Sequence, residues 1–238
     1  MSNEPLACTD PNIQLAAPRT HELYIYDEIG PDFWGLISGK SFADGIKSLK
    51  AKKGDTLTVR INSPGGDVFE AKAIGEAIDR WDGPTVAEID ALAASAATLI
   101  AAKAQTVRMA DSAMFMVHDP WTIKQGNASE FRRTAEVLDK VGGTILDLYE
   151  KKTGKPRDEL AALITDTETW MTAEEAKSWG FVDEIVESQG IAAKIRPGLF
   201  KHLPEGWNPE ERHEHQKTLF SPEFVKYKIE VARRAAGV

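Results

Sequence analysis

The sequence predicts an α/β fold of repeated strand–helix units with mainly parallel strand pairing. Short strand-like segments recur between residues 57 and 186, helical patterns separate them, and Gly, Pro and Asp clusters mark the turns. The first strand is read at residues 57–61, where Leu57, Val59 and Ile61 alternate with Thr58 and Arg60, and it stops at Ser63-Pro64-Gly65-Gly66. A helical pattern follows over residues 68–81, carried by Phe69, Ile74, Ala77 and Ile78, and Asp82-Gly83-Pro84 breaks it. Residues 85–89 read as a second strand. The run 91–104, nearly all small side chains, reads as a helix packed tightly against its neighbours. Residues 106–109 and 114–118 are short strands. A long helix is expected over residues 127–152. It opens with a capping-box-like Asn127-x-x-Glu130 and ends at Thr153-Gly154, with Phe131, Leu138, Val141, Ile145 and Leu148 as its apolar stripe. A short helix at 173–179 and a strand at 181–186 complete the pattern.

The chain has 238 residues, of which 42% are hydrophobic, enough to bury a full core without disulfide staples. With 29 basic and 37 acidic residues the formal charge is −8, which argues against electrostatic binding of nucleic acid. The single cysteine, Cys8, excludes an internal disulfide framework and a multi-cysteine metal site. No stretch has the apolar length of a membrane span, and the start lacks the basic-then-apolar order of a secretory signal, so a cytoplasmic location is expected. Beyond residue 190 the composition shifts. Nine basic residues stand against six acidic ones, and four of the twelve prolines and three of the five histidines are found there. The expected organisation is a mobile lead-in at 1–20, a compact domain at 21–190, and a Pro-rich extension at 191–238. The extension ends in a helix started by Ser221-Pro222-Glu223, which either docks on its own chain or contacts a partner.

Two residues stand out chemically. Ser95, in Ala93-Ala94-Ser95-Ala96-Ala97, sits where a strand gives way to a small-residue helix. There it is either a nucleophile at a helix start, with amides ready for an oxyanion, or a buried serine bonding back to its own helix. His118 ends an apolar strand and is either a general base at a cleft or a satisfied core histidine. Of the five histidines, three lie in the extension and His21 at the edge of the lead-in, so if Ser95 needs a histidine base within the folded domain, His118 is the strong candidate. Gly65-Gly66 supplies either an oxyanion donor or a plain tight turn. Ser38-Gly39-Lys40-Ser41 resembles the end of a phosphate-binding loop, but Trp34 occupies the position of its first glycine, so nucleotide binding is rejected. His213-Glu214-His215 is a weak metal signal better read as a solvated loop.

The pieces Arg60-Ile61-Asn62-Ser63-Pro64-Gly65-Gly66, Ala93-Ala94-Ser95-Ala96-Ala97, Met116-Val117-His118-Asp119-Pro120, Thr153-Gly154 and Trp170-Met171-Thr172-Ala173-Glu174-Glu175-Ala176, continuing to Gly180-Phe181-Val182-Asp183, resemble in order and spacing the ClpP family of serine proteases. The resemblance implies the crotonase-like fold, a right-handed spiral of strand–helix units with a protruding handle helix, here residues 127–152. It implies a serine endopeptidase with Ser95 as nucleophile, His118 as base and the N–H groups of Gly66 and Ala96 as oxyanion hole. No metal or organic cofactor is implied. The family's third triad member is an acid two residues before the aromatic that is Trp170 here. That position holds Glu168 rather than Asp; Asp166 is the alternative. The implied partners are protein or peptide substrates and copies of the same chain in a heptameric ring or a stacked pair of rings. No nucleic acid or membrane is expected. The Leu23-Tyr24-Ile25-Tyr26-Asp27 opening and the long extension look more like the Clp-like proteases of tailed phages and prophages, which implies trimming of capsid or scaffold proteins during head maturation. An acyl-CoA enzyme of crotonase type and a catalytically silent structural subunit are the rival readings.

Overall fold

The computed structural model describes residues 18–188. The elements are β1 (Thr20–Ile25), α1 (Gly39–Ser48), β2 (Thr56–Ser63), α2 (Val68–Asp79), β3 (Thr85–Ala94), α3 (Ala96–Ala101), β4 (Thr106–Ala110), β5 (Met114–His118), α4 (Ala128–Thr153), α5 (Arg157–Ile164), β6 (Glu168–Met171), α6 (Ala173–Trp179) and β7 (Glu184–Val186). The main sheet runs β1-β2-β3-β4-β7, all parallel. The far end of β3 diverges to pair with β5, also parallel, and β6 lies antiparallel on β5. This is the mixed α/β sheet with helices of the crotonase-like class. Among the described residues no helix is long and apolar enough to cross a membrane.

Strand alternation sorts the two faces of the sheet. Leu57, Val59 and Ile61 of β2 and Ala87 and Ile89 of β3 are fully buried, in one cluster with Ile74 and Ile78 of α2. The opposite face carries a row that crosses five strands in register: Tyr24, Arg60, Glu88, Arg108 and Glu184. Arg60 Nη1 donates to Glu88 at 3.1 Å and Arg108 Nε to Glu184 at 2.7 Å. Arg60 also grips the buried Asp90, whose other partner is the Tyr26 hydroxyl at 2.5 Å. A parallel sheet is ordinarily buried on both faces; this charge-paired row lets the second one meet polar surroundings.

Several expectations change. Residues 91–94 continue β3, and the helix expected over 91–104 is confined to α3. A run of alanines carries no period to separate the two states, and these alanines are small because the strand is covered on both faces. The last strand shortens to β7, with Phe181 and Val182 buried just before it. Ser38-Gly39-Lys40-Ser41 is the start of α1, where Ser38 and Ser41 form a reciprocal capping box. The long helix α4 begins after Asn127, whose side chain accepts from Ser129 N and Glu130 N, as its sequence predicts. Its stripe is buried only in the C-terminal half, through Gly142, Ile145 and Tyr149. Phe131 is 50% exposed and Val137 53% exposed on the half that stands away from the core. The lead-in before residue 18 and the extension, with the helix expected at Ser221, lie outside the described residues.

Candidate active site

Ser95 joins β3 to α3 with φ 54° and ψ −126°, a conformation sparsely populated by residues with a side chain. Bonds on both of its peptide groups hold it there. Its N–H donates to Met116 O at 2.9 Å, and its carbonyl accepts from Thr98 N at 3.0 Å and Thr98 Oγ1 at 2.6 Å. The sharp turn lifts the hydroxyl off the end of the sheet. His118 arrives from the last position of β5, two residues beyond Met116, and its Nε2 lies 2.8 Å from Ser95 Oγ. Two side chains 23 residues apart thus meet because their strands are direct neighbours.

The amides are arranged by Gly65 and Gly66. Ile29 N donates to Gly65 O at 2.8 Å and Asp67 N to Ile29 O at 2.9 Å, so Gly66, between them, turns its own N–H away from Ile29. With φ 140°, Gly66 has no room for a side chain: a Cβ would sit 2.0 Å from Ile29 O. Gly65, at φ 91°, lies against the Ser95 turn, where a Cβ would come within 2.8 Å of Ala96 N. Ala96 N is the first N–H of α3 and has no acceptor within its own helix. These are the two amides that the family resemblance implies as oxyanion donors.

The acid side is set by β6. Its antiparallel register with β5 pairs His118 directly with Glu168. Directly opposed residues project to the same face, so the register puts Glu168 and His118 on one side of the β5–β6 ladder. Asp166 precedes the strand in a turn with φ 56°. The C-terminal end of α5 anchors this turn: Asp119 N donates to Ile164 O at 3.0 Å and Thr169 Oγ1 to Leu163 O at 2.5 Å. Burial raises the Asp119 carboxyl above the usual range, against the lowering effect of the Asp166 backbone N–H. A cleft of about 500 Å³ opens over Ser95 and His118, walled by apolar side chains including Ile29, Trp34, Leu36, Val68, Trp121 and Ile123.

A hydroxyl bonded to an imidazole, a carboxylate in register behind it, and two amides in front can perform acyl transfer. The family described as Clp protease matches residues 41–189. The chain belongs to the Clp protease family. It is 32% identical over 160 residues to the ATP-dependent Clp protease proteolytic subunit 1 of Chlamydia caviae, covering 64% of this chain and 83% of that protein. It is 31% identical over 135 residues to the ATP-dependent Clp protease proteolytic subunit of Bacteroides fragilis, covering 56% and 65%. A ClpP1 variant from Listeria monocytogenes shares the fold, with a TM-score of 0.60 at 23% identity over 71% of this chain and 92% of that one. The Clp-type chain is thus a ClpP-like serine endopeptidase.

Sequence reasoning missed two residues at this Clp-type site. Thr98 disappears into the apolar run that begins α3, and Tyr149 stands outside the stripe read for the long helix, next to Leu148. The signal for Thr98 is its place three residues after Ser95, where a hydroxyl reaches back to the carbonyl.

Proposed function

We propose that this protease cleaves peptide bonds with Ser95 as nucleophile, His118 as general base and Glu168 as the acid that orients the imidazole. The observation that carries the assignment is the 2.8 Å contact between Ser95 Oγ and His118 Nε2 at a strained strand-to-helix turn. In acylation His118 takes the hydroxyl proton as Oγ bonds to the scissile carbonyl carbon. The carbonyl oxygen becomes an oxyanion between Gly66 N–H and Ala96 N–H. The tetrahedral species then collapses as His118 passes the proton to the leaving amine. Water, deprotonated by the same imidazole, releases the acyl group and regenerates Ser95. The register opposite His118 supports Glu168 over Asp166, which lies outside the strand. The apolar cleft walls suit an extended segment bearing large apolar side chains.

The working particle is a cytoplasmic homo-oligomeric ring, single or stacked in a pair. The apolar residues exposed on the standing half of α4 support it, because they call for cover by another copy. The domain is residues 21–190, flanked by the lead-in and the extension, and its substrates are capsid or scaffold proteins trimmed during phage head maturation. The Leu23–Asp27 opening and the long chain beyond the family match support that task. A fluorophosphonate probe tests the chemistry: it labels Ser95 in the full-length protein, and Ser95→Ala removes both labelling and peptide hydrolysis. An unlabelled Ser95 in an intact particle sinks the assignment in favour of an acyl-CoA enzyme or a silent subunit. Incubation of the particle with capsid and scaffold proteins tests the substrate, with discrete trimming as the expected result.

A further inference from the structure

The strained turn at Ser95 is held from below by a buried chain of hydroxyls. Tyr149, on α4, is 2% exposed and Thr98 is fully buried. Their oxygens are 2.6 Å apart, and Thr98 Oγ1 is also 2.6 Å from Ser95 O. A carbonyl can only accept, so the single Thr98 proton goes to Ser95 O, and Tyr149 must be the donor to Thr98. The order is therefore fixed: Tyr149 O–H to Thr98 Oγ1, and Thr98 O–H to Ser95 O. Burial raises the Tyr149 hydroxyl above its ordinary titration range, so it keeps its proton.

We infer that Thr98 and Tyr149 are positioning residues for catalysis, a two-hydroxyl relay that fixes the Ser95 carbonyl and with it the direction of the nucleophile. The inference rests on Ser95 being that nucleophile. Neither side chain lines the cleft; both act through the Ser95 peptide group. The carbonyl already has one donor, Thr98 N. The hydroxyl supplies a second from the same residue and confines the peptide plane in two directions. A sparsely populated φ/ψ pair persists only when its surroundings over-determine it, and this second donor is part of that excess. Tyr149 in turn orients the Thr98 proton toward Ser95 and ties the buried half of α4 to the nucleophile turn.

The test is a double-mutant cycle on the full-length particle, using a fluorogenic peptide and the rate of fluorophosphonate labelling. Thr98→Val keeps the shape and deletes the middle hydroxyl. It is expected to lower kcat and the labelling rate about tenfold, since misplacement of about 1 Å costs about a hundredfold, with KM changed less than about twofold. Thr98→Ser restores both rates. Tyr149→Phe gives a smaller loss in the same direction. Added to Thr98→Val it costs nothing more, because the relay is already cut. A wild-type kcat for Thr98→Val, or losses that multiply in the double variant as independent packing defects do, overturns the inference. Should Thr98→Val fail to assemble, Tyr149→Phe against wild type decides alone: an unchanged labelling rate refutes the relay. Failure of wild-type Ser95 to label at all condemns the nucleophile assignment instead.

Discussion

Gly65 is a position where a single added methyl group reaches the turn that carries Ser95. Its Cβ would lie 2.5 Å from Ala94 O, 2.8 Å from Ala96 N and 2.8 Å from Ser95 Cβ, all at φ 91°. These contacts fall about 0.6 to 0.9 Å short of the separation at which van der Waals contact becomes ordinary, about 3.4 Å. None of the three atoms is the far end of a flexible side chain, so relief requires movement of the turn carrying Ser95. The backbone conformation alone costs a residue with a Cβ about 1–2 kcal/mol, and overpacking adds about 1–3 kcal/mol. Gly54 is the matched control: its φ is 85° and nothing lies within 4 Å of an added Cβ. Gly54→Ala therefore loses only the conformational part, about 1–2 kcal/mol in urea denaturation, with kcat intact. Gly65→Ala loses about 2–5 kcal/mol and, through displacement of Ser95, about a hundredfold in kcat. Peptide hydrolysis and urea melts on both variants measure the two parts separately. If Gly65→Ala retains the kcat of Gly54→Ala with the same stability loss, Gly65 does not constrain the turn that carries Ser95.

Two further outcomes are expected. Asp55 is buried and accepts from Lys52 N and Arg19 N at 3.0 Å each and from His21 Nε2 at 2.8 Å; these bonds, the backbone ones foremost, hold its carboxyl well below the usual carboxylate range. A depressed folded-state pKa gives stability that is complete above the unfolded value of about 4 and lost as the pH falls through the folded one. The melting-temperature gap between wild type and Asp55→Asn should stay constant above about pH 5 and narrow on acidification below about pH 4; a gap that widens there refutes the account. Asn127→Ala removes the side-chain cap from α4, at a cost of about 1 kcal/mol. Faster amide exchange confined to the first turn of α4 is the expected signature, and unchanged protection there contradicts the capping role.

The parts of the fold legible in the sequence are those with a local physical signature. Residues 68–81 announce a helix through their period and residues 127–152 through period and cap, and α2 and α4 follow within a few residues. β5 falls at residues 114–118 as its compact apolar run suggests. By contrast, β1, α1, α5 and β6 carry no such signature in the sequence. β6 has four residues and α5 eight, too few to display a period. The start of α1 imitates a phosphate loop because Gly-Lys-Ser suits a helix N-terminus in either setting. Residues 91–94 read as helix because an alanine run is compatible with both states until its neighbours are known.

Ser95 and His118 stood out by residue type and by elimination among five histidines, and the sequence alone left each with a bland alternative. What the chain determines locally is which segments turn, alternate or cap. The tertiary structure decides which ends meet: β3 and β5 run side by side in parallel, and β6 returns antiparallel with Glu168 opposite His118. The Tyr149–Thr98–Ser95 relay is likewise invisible in one dimension, because 51 residues separate its two hydroxyls. Hydrogen bonds act over about 3 Å, and only folding turns those sequence distances into contacts of that length.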